Sequence, residues 1–102
     1  MIIAIFRSRV AKEHAAEFKK RYAEMSALVE AIPGYGSHES FSSANGENVL
    51  IVEFLTREAF ESWDTHPEHK KAKMLGKDYI FDSFDLKVGD VFEEHTKPEV
   101  RV

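Results

Sequence analysis

The two stretches that decide the fold of this chain are Ile2-Ile-Ala-Ile-Phe6 and Val49-Leu-Ile-Val-Glu-Phe54. Each is short, rich in β-branched residues and apolar at both alternating sets of positions. This pattern is typical of a strand whose two faces are both covered, whereas a strand with one face in water alternates apolar and polar residues. We therefore predict strands at about Ile2–Arg9 and Val49–Phe54, both in the middle of one sheet.

The segment between these strands contains a helical repeat. From about Ala11 to Ala31, apolar residues recur every three or four positions while charged residues occupy the opposite side, which predicts an amphipathic helix. Pro33-Gly34 ends the helix, because proline cannot continue the hydrogen-bond ladder and glycine tolerates a left-handed exit. The apolar stripe comprises Ala15, Phe18, Tyr22, Met25, Leu28, Val29 and Ile32.

The other elements follow from turn and capping residues. Asn45-Gly46 predicts a hairpin between a polar strand at Tyr35–Ser43 and the strand at Val49. Thr56 is placed to cap a short helix that runs through Trp63, and His66-Pro67 starts a second one that stops at Gly76. A last strand runs to Gly89 or beyond, with Ile80, Phe84, Leu86 and Val88 on one face and Phe81, Ser83, Asp85 and Lys87 on the other. Gly89 is a position that can host a bulge, after which Val91 and Phe92 extend toward a partner.

The resulting order predicts an α+β fold, a ferredoxin-like βαββαβ unit with a four-stranded antiparallel sheet. Helices can cover only one face of such a sheet, so the apolar residues on the other face need a second protein surface. We therefore expect a homodimer in which two sheets pack face to face. The folded domain is predicted to span residues 1–92, followed by a polar tail at 93–102.

Composition excludes several classes of function. A chain of 102 residues has no room for a separate cofactor domain, and the absence of cysteine removes disulfides, thiolate nucleophiles and iron–sulfur clusters. Its net charge of −4 lacks the basic surface that nucleic acids and anionic membranes require. The first apolar run has no basic residues before it and meets Arg7 too soon for a signal peptide, so we expect a cytoplasmic protein. No phosphate-binding glycine loop or flavin fingerprint predicts a nucleotide cofactor.

Several local sequences resemble one family. They are Ile5-Phe6-Arg7-Ser8-Arg9-Val10, Ile32-Pro33-Gly34-Tyr35, Glu53-Phe54, the stretch from Ser62 to His69, and Leu75-Gly76-Lys77-Asp78-Tyr79. Together they make residues 1–92 similar to the antibiotic biosynthesis monooxygenase family. The resemblance implies a dimeric α+β barrel. It covers cofactor-free oxygenases of anthrones and quinols, haem-degrading enzymes and proteins without known activity.

The resemblance implies a cofactor-independent monooxygenase acting on a small phenol, quinol or anthrone-like substrate. The motif of the anthrone oxygenases, Asn-x-x-x-Trp-x-x-x-x-x-Tyr, aligns with Ala59, Trp63 and His69, so only the tryptophan is identical in this chain. The Asn, Trp and His of the haem-degrading members align with Ser8, Trp63 and Lys73. Lys73 stands where the iron-binding histidine is expected, and a protonated lysine is a poor iron ligand. A non-catalytic or stress-related dimer that binds small molecules is the alternative hypothesis.

His69 is the candidate catalytic base and Trp63 the candidate stacking wall. An imidazole titrates near neutral pH and can take a proton from a phenol, an enol or an activated C–H bond, while an indole can stack on an aromatic ring. The alternatives are a tryptophan that belongs to the core and an idle histidine on the surface. His66 and His69 have a spacing compatible with two metal ligands, but no third ligand is evident and no metal is predicted.

Six other residues are candidates for substrate binding, each with an alternative interpretation. Arg7 and Arg9 share a strand face and can hold an anionic oxygen, or they are solvated or paired with Glu39 or Glu53. His38 is a possible pocket donor or base, or a surface residue of an edge strand. The aromatic side chains of Phe18, Tyr22 and Tyr79 can line a pocket or belong to the core.

Overall fold

The computed structural model describes residues 1–99 and contains four strands, three α-helices and two short turns of other helix types. In chain order these are strand β1 (Ile2–Val10), a 3₁₀ turn (Lys12–His14), helix α1 (Ala15–Glu30), strands β2 (Tyr35–Ser42) and β3 (Asn48–Phe54), helices α2 (Arg57–Asp64) and α3 (Pro67–Leu75), a π turn (Gly76–Ile80) and strand β4 (Phe81–Asp90).

The sheet has the order β2-β3-β1-β4 with antiparallel neighbours, which confirms the ferredoxin-like fold. The two strands that are apolar on both faces, β1 and β3, occupy its centre as predicted. Ile2 pairs with Phe54 and Ile5 with Ile51. Because cross-strand partners share a face, this register assigns even-numbered residues of β1 to one face and odd-numbered residues to the other.

The helices cover the even-numbered face of β1. The buried core comprises Ile2, Val29, Phe54, Ala59 and Trp63, which brings together β1, α1, β3 and α2. The opposite face carries Ile3, Ile5, Phe41, Val49 and Ile51 at its centre, and Ile5 remains 37% exposed. One sheet face is therefore covered by helices, and the other presents an apolar centre.

Local capping residues act as the sequence predicts. The Thr56 hydroxyl accepts a hydrogen bond from the Ala59 amide at 3.1 Å, and His66 Nδ1 accepts one from the Glu68 amide at 3.2 Å at the start of α3. Gly46 has a φ of +88° in the β2–β3 turn, and Gly34 has a φ of +87° between α1 and β2. These positive values explain why glycine stands at both turns.

Two details of the predicted elements are wrong. The first helix begins with a 3₁₀ turn and becomes α-helical only at Ala15. Ile80 ends the π turn instead of starting the last strand. A bulge in β4 lies opposite Arg9 and Val10, while Gly89, the position that the sequence offers as able to host one, pairs regularly with Ile3.

The bulge at the start of β4 changes the arrangement of its aromatic residues. Phe81 pairs with Val10 and Phe84 with Ser8, so both phenyl rings lie on the face that the helices cover. Simple alternation had predicted opposite faces for them. A bulge inserts one extra residue and thereby resets the alternation of side chains.

Beyond β4, residues 91–99 form no helix or strand. The Val91 amide donates to the Met1 carbonyl at 2.9 Å, and the Phe92 side chain is exposed. The last three residues of the predicted polar tail lie outside the described residues. Among the described residues, no helix is long and apolar enough to cross a membrane.

Candidate functional site

The most specific side-chain arrangement on the helical side is the stack of Trp63 and His69. Their ring centroids lie 4.2 Å apart with an interplanar angle of 12°. Trp63 lies in the last turn of α2 and is buried in the core, whereas His69 lies in the first turn of α3 and is partly buried. Trp63 is thus a core residue, one face of which is covered by the candidate base.

A backbone hydrogen bond orients the His69 ring. Its Nδ1 lies 3.0 Å from the Trp63 carbonyl oxygen. A carbonyl can only accept, so Nδ1 carries the hydrogen and the neutral ring keeps its lone pair on Nε2. His69 Nε2 has no hydrogen-bond partner. Among the described residues, every fully buried side-chain nitrogen or oxygen has a partner, so Nε2 is not fully buried and is accessible from solvent.

Burial lowers the pKa of His69 below its ordinary value near 6.5, with a smaller contribution in the same direction from the charge of Lys73. The hydrogen bond to the Trp63 carbonyl opposes that shift. Desolvation disfavours the imidazolium, so the ring is neutral at pH 7. His69 therefore presents an unprotonated nitrogen to solvent in the state that a general base requires.

His38 lies in a different polar cluster. Its Nδ1 lies 2.6 Å from the Tyr35 hydroxyl and its Nε2 lies 3.2 Å from the Ser26 hydroxyl, so both ring nitrogens are engaged. Burial raises the pKa of Tyr35, which keeps its hydroxyl protonated. His38 belongs to an edge strand, but its side chain points toward α1, so it is a fixed polar group between β2 and α1 and not a free base.

Aromatic rings extend from His38 along the helical side of the sheet. The ring centroid of Tyr22 lies 6.3 Å from that of His38 and 6.0 Å from that of Phe18. The ring centroid of Phe18 lies 5.7 Å from that of Phe81. Phe81 in turn lies 5.3 Å from Phe6. We call Phe6, Phe18, Tyr22, Phe81 and Phe84 the aromatic row.

Strand β4 leaves part of this surface open. Phe84, Leu86 and Val88 pair with Ser8, Phe6 and Ala4, so they lie on the helical side, yet they are 51%, 49% and 41% exposed. No side chain of helix α3 is fully buried. The aromatic row therefore borders a half-exposed apolar strip on β4.

Tyr79 does not join the aromatic row. Its ring lies 4.7 Å from the ring of His14, and its hydroxyl donates to Glu17, which also accepts from Arg21. The hydrogen bond from Tyr79 lowers the pKa of Glu17 and raises that of Tyr79. Tyr79 thus ties the π turn to the start of α1.

Arg7 and Arg9 share one face, as their spacing predicts, but that face is the one opposite the helices. Arg7 forms an ion pair of 2.7 Å with Glu47, and Arg9 donates to the Asn45 carbonyl at 2.7 Å. The alternative pairing with Glu39 or Glu53 is therefore wrong. Neither arginine is near the stack of Trp63 and His69.

The other residues that align with the two family motifs, Ala59, Lys73 and Ser8, have structural roles. Ala59 is buried in the core, and a Cβ at Gly34 would lie only 2.8 Å from the Cβ of Ala59. Lys73 donates to the carboxylate of Asp64 at 2.7 Å and to its backbone carbonyl at 3.0 Å. Ser8 is buried near the end of β1.

Sequence reasoning missed Phe6, Phe81, Phe84 and the pair of Asp64 and Lys73. The aromatic content of the last strand was visible, but its bulge was not. The pair links two helices across a turn and has no pattern of its own in the sequence.

Comparison with known proteins gives one family and several similar folds. The antibiotic biosynthesis monooxygenase family matches residues 1–74. The uncharacterized protein YqjZ of Bacillus subtilis (strain 168) is 26% identical over 98 residues, covering 91% of this chain and 86% of YqjZ. The structure of Rv0793 from Mycobacterium tuberculosis superposes with a TM-score of 0.81 at 18% identity, covering 93% of this chain and 98% of that one. A mutant of SnoaB, a cofactor-independent oxygenase from Streptomyces nogalater, superposes with a TM-score of 0.78 at 18% identity, covering 96% and 97%.

Proposed function

The chain belongs to the antibiotic biosynthesis monooxygenase family, and on that premise we propose that it oxygenates a small electron-rich aromatic compound without a cofactor. In this proposal His69 is the general base. The aromatic row and the open strip of β4 bind the substrate. Similarity of fold to SnoaB, a cofactor-independent oxygenase, agrees with this reaction class.

The observation that carries the proposal is the state of His69. Its Nδ1 hydrogen is committed to the Trp63 carbonyl, burial keeps the ring neutral at pH 7, and Nε2 is unpartnered and accessible. A base for this chemistry must be unprotonated before the substrate arrives and must have a fixed lone pair. The engaged nitrogens of His38 do not meet that requirement.

The reaction needs no electrons from a cofactor because the substrate supplies them. His69 removes a proton from an acidic CH₂ group of an anthrone-like substrate. The resulting anion passes one electron to dioxygen, and the substrate radical and superoxide combine to form a C–O bond. The peroxide takes the proton back from the imidazolium. Loss of water then turns the CH₂ group into a carbonyl, so one O₂ yields one oxidised product and one H₂O.

The apolar surface supports this substrate class. The aromatic row offers ring edges and faces and includes the half-exposed Phe84, and the strip of β4 continues from it with the half-exposed side chains of Leu86 and Val88. Planar aromatic molecules pack favourably against such rings. A phenol, quinol or anthrone-like compound fits both this surface and the requirement for an acidic proton.

We further propose that the functional unit is a homodimer formed through the sheet face opposite the helices. Ile3, Ile5, Phe41, Val49 and Ile51 form an apolar centre on that face. Contiguous apolar surface of this kind marks protein interfaces. In this arrangement the helical side of each sheet, with His69, stays open to substrate.

Oxygen consumption tests the activity. The protein is assayed in an oxygen electrode with a panel of anthrones and quinols, beside the variants His69→Gln and His95→Gln. His95 is an exposed tail residue paired with Glu93, so its variant controls for the loss of an imidazole elsewhere. We expect uptake above the uncatalysed rate for the wild type and His95→Gln only. Uptake at the uncatalysed rate for every compound contradicts the proposal.

One observation favours the alternative function, a dimer that binds aromatic molecules without oxidising them. Ala59 stands where the anthrone oxygenases are expected to have an asparagine, and its buried methyl group offers no hydrogen bond to an oxygen intermediate. Under this alternative, the same compounds quench or shift the fluorescence of Trp63 on binding but cause no uptake of oxygen.

A further inference from the structure

The junction between α2 and α3 is held by donors from α3 and its N-cap residue that bond to the last carbonyl groups of α2. The carbonyl of Trp63 accepts from the His66 amide at 3.1 Å and from His69 Nδ1 at 3.0 Å. The carbonyl of Asp64 accepts from Lys73 Nζ at 3.0 Å. The final carbonyls of a helix have no partner within it, so these bonds fix the position of α3 on α2.

Lys73 also lies on the same side of α3 as His69, because residues four apart in a helix are neighbours. Its ammonium group forms a 2.7 Å ion pair with the Asp64 carboxylate, and both side chains are a little over 40% exposed. The imidazole is thus bordered by one positive and one negative group that are bonded to each other.

We propose that Lys73 and Asp64 are positioning residues for His69, which hold α3 against the end of α2 and balance the charge around the imidazole. The inference deepens the proposed function, since it concerns the residue assigned there as the base. Neither side chain touches the substrate in this account. Their effect is to keep the ring stacked on Trp63 with a charge environment that is close to neutral.

The two charges have opposite effects on the ring. The charge of Lys73 lowers the pKa of His69 and that of Asp64 raises it, while His66 from the start of α3 adds a smaller lowering effect. These three, one in α2, one in α3 and one at the N-cap of α3, are the charged or titratable groups that act on the ring among the described residues. Removing one member of the ion pair leaves the other uncompensated beside His69.

Two single variants therefore shift the His69 titration in opposite directions. Lys73→Met leaves the Asp64 carboxylate alone and should raise the pKa of His69. Asp64→Asn leaves the Lys73 ammonium alone and should lower it, while the backbone carbonyl and the amide oxygen still accept hydrogen bonds from Lys73. The double variant should titrate near the wild type.

A purely structural role for the pair gives a different pattern. If the variants only loosened α3, the ring would become hydrated and its pKa would rise toward 6.5 in both cases. The downward shift in Asp64→Asn is therefore the decisive result, since hydration of a loosened ring shifts the pKa upward.

The titration is followed by NMR of the His69 Cε1–H signal, assigned by its absence in His69→Gln. The fluorescence of the single tryptophan, Trp63, gives a second reading because a protonated imidazole stacked on the indole quenches it. Opposite shifts in the two single variants support the proposal. An upward shift or no shift in Asp64→Asn overturns it. Neither reading needs a substrate or oxygen, so this test can fail or succeed independently of the oxygenation assay.

Discussion

Substituting Gly34 by alanine should destabilise the fold through two separable effects. Gly34 has a φ of +87°, and the left-handed region costs an alanine about 1–2 kcal/mol. The new methyl group would also lie 2.8 Å from the Cβ of buried Ala59, and crowding in a packed core costs about 1–3 kcal/mol. The expected loss in the free energy of unfolding is therefore about 2–5 kcal/mol.

Gly46→Ala is the matched control for this prediction. Gly46 has nearly the same φ, +88°, but the nearest atom to a Cβ there is the Arg9 Nη1 at 3.7 Å. This variant should lose only the conformational contribution, about 1–2 kcal/mol. The difference between the two variants measures how tightly α2 packs on the turn before β2.

Urea denaturation at one protein concentration measures both losses, since dimerisation would make the apparent stability depend on concentration. We expect Gly34→Ala to lose more stability than Gly46→Ala by about 1–3 kcal/mol. Equal losses would refute the close contact between the turn and Ala59. They would also weaken the placement of Trp63, which lies one turn after Ala59 in the same helix.

Two further predictions concern pH and assembly. The pKa of His69 is lower in the folded state than in the unfolded chain, so the unfolded state binds a proton first as pH falls below about 6.5. The wild type should therefore lose stability on acidification that His69→Gln does not lose. Thermal denaturation between pH 7.5 and pH 5.5 measures this loss, and the same dependence on pH in both proteins would rule out the buried neutral ring. The proposed dimer should become a monomer at micromolar concentration in the Ile5→Glu variant, because this change puts a charge in the apolar centre of the sheet face, whereas Met74→Glu on exposed α3 should have no such effect. Truncation from Val91 should weaken the proposed dimer, and truncation from Lys97 should not. Sedimentation measures all four, and a monomeric wild type would contradict the sheet-to-sheet arrangement.

The sequence predicts the element order and the centre of the sheet because these depend on local patterns. The apolar runs of β1 and β3, the stop at Pro33-Gly34 and the caps at Thr56 and His66 all act within a few residues of themselves. The bulge of β4 depends on how that strand pairs with β1. No local pattern distinguishes it from regular alternation, so the shared face of Phe81 and Phe84 could not be predicted.

The candidate site was predicted only as a set of residue types. The sequence singles out Trp63 and His69 but does not indicate that their rings stack, since this depends on the turn between α2 and α3. The same limit applies to the charged residues: Arg7 pairs with Glu47 across the sheet instead of with Glu39 or Glu53. Tyr79 belongs to a cluster with His14 and Glu17 that no periodicity indicates.

The central claim, that His69 is a general base, is tested most directly by removing a proton without oxygenation. Under anaerobic conditions in D₂O, a base-catalysed enzyme exchanges the acidic CH₂ hydrogens of an anthrone for deuterium, which NMR follows as loss of the proton signal. We predict exchange faster than in buffer for the wild type and His95→Gln, and exchange at the buffer rate for His69→Gln. If His69→Gln exchanges the hydrogens as fast as the wild type, His69 is not the base.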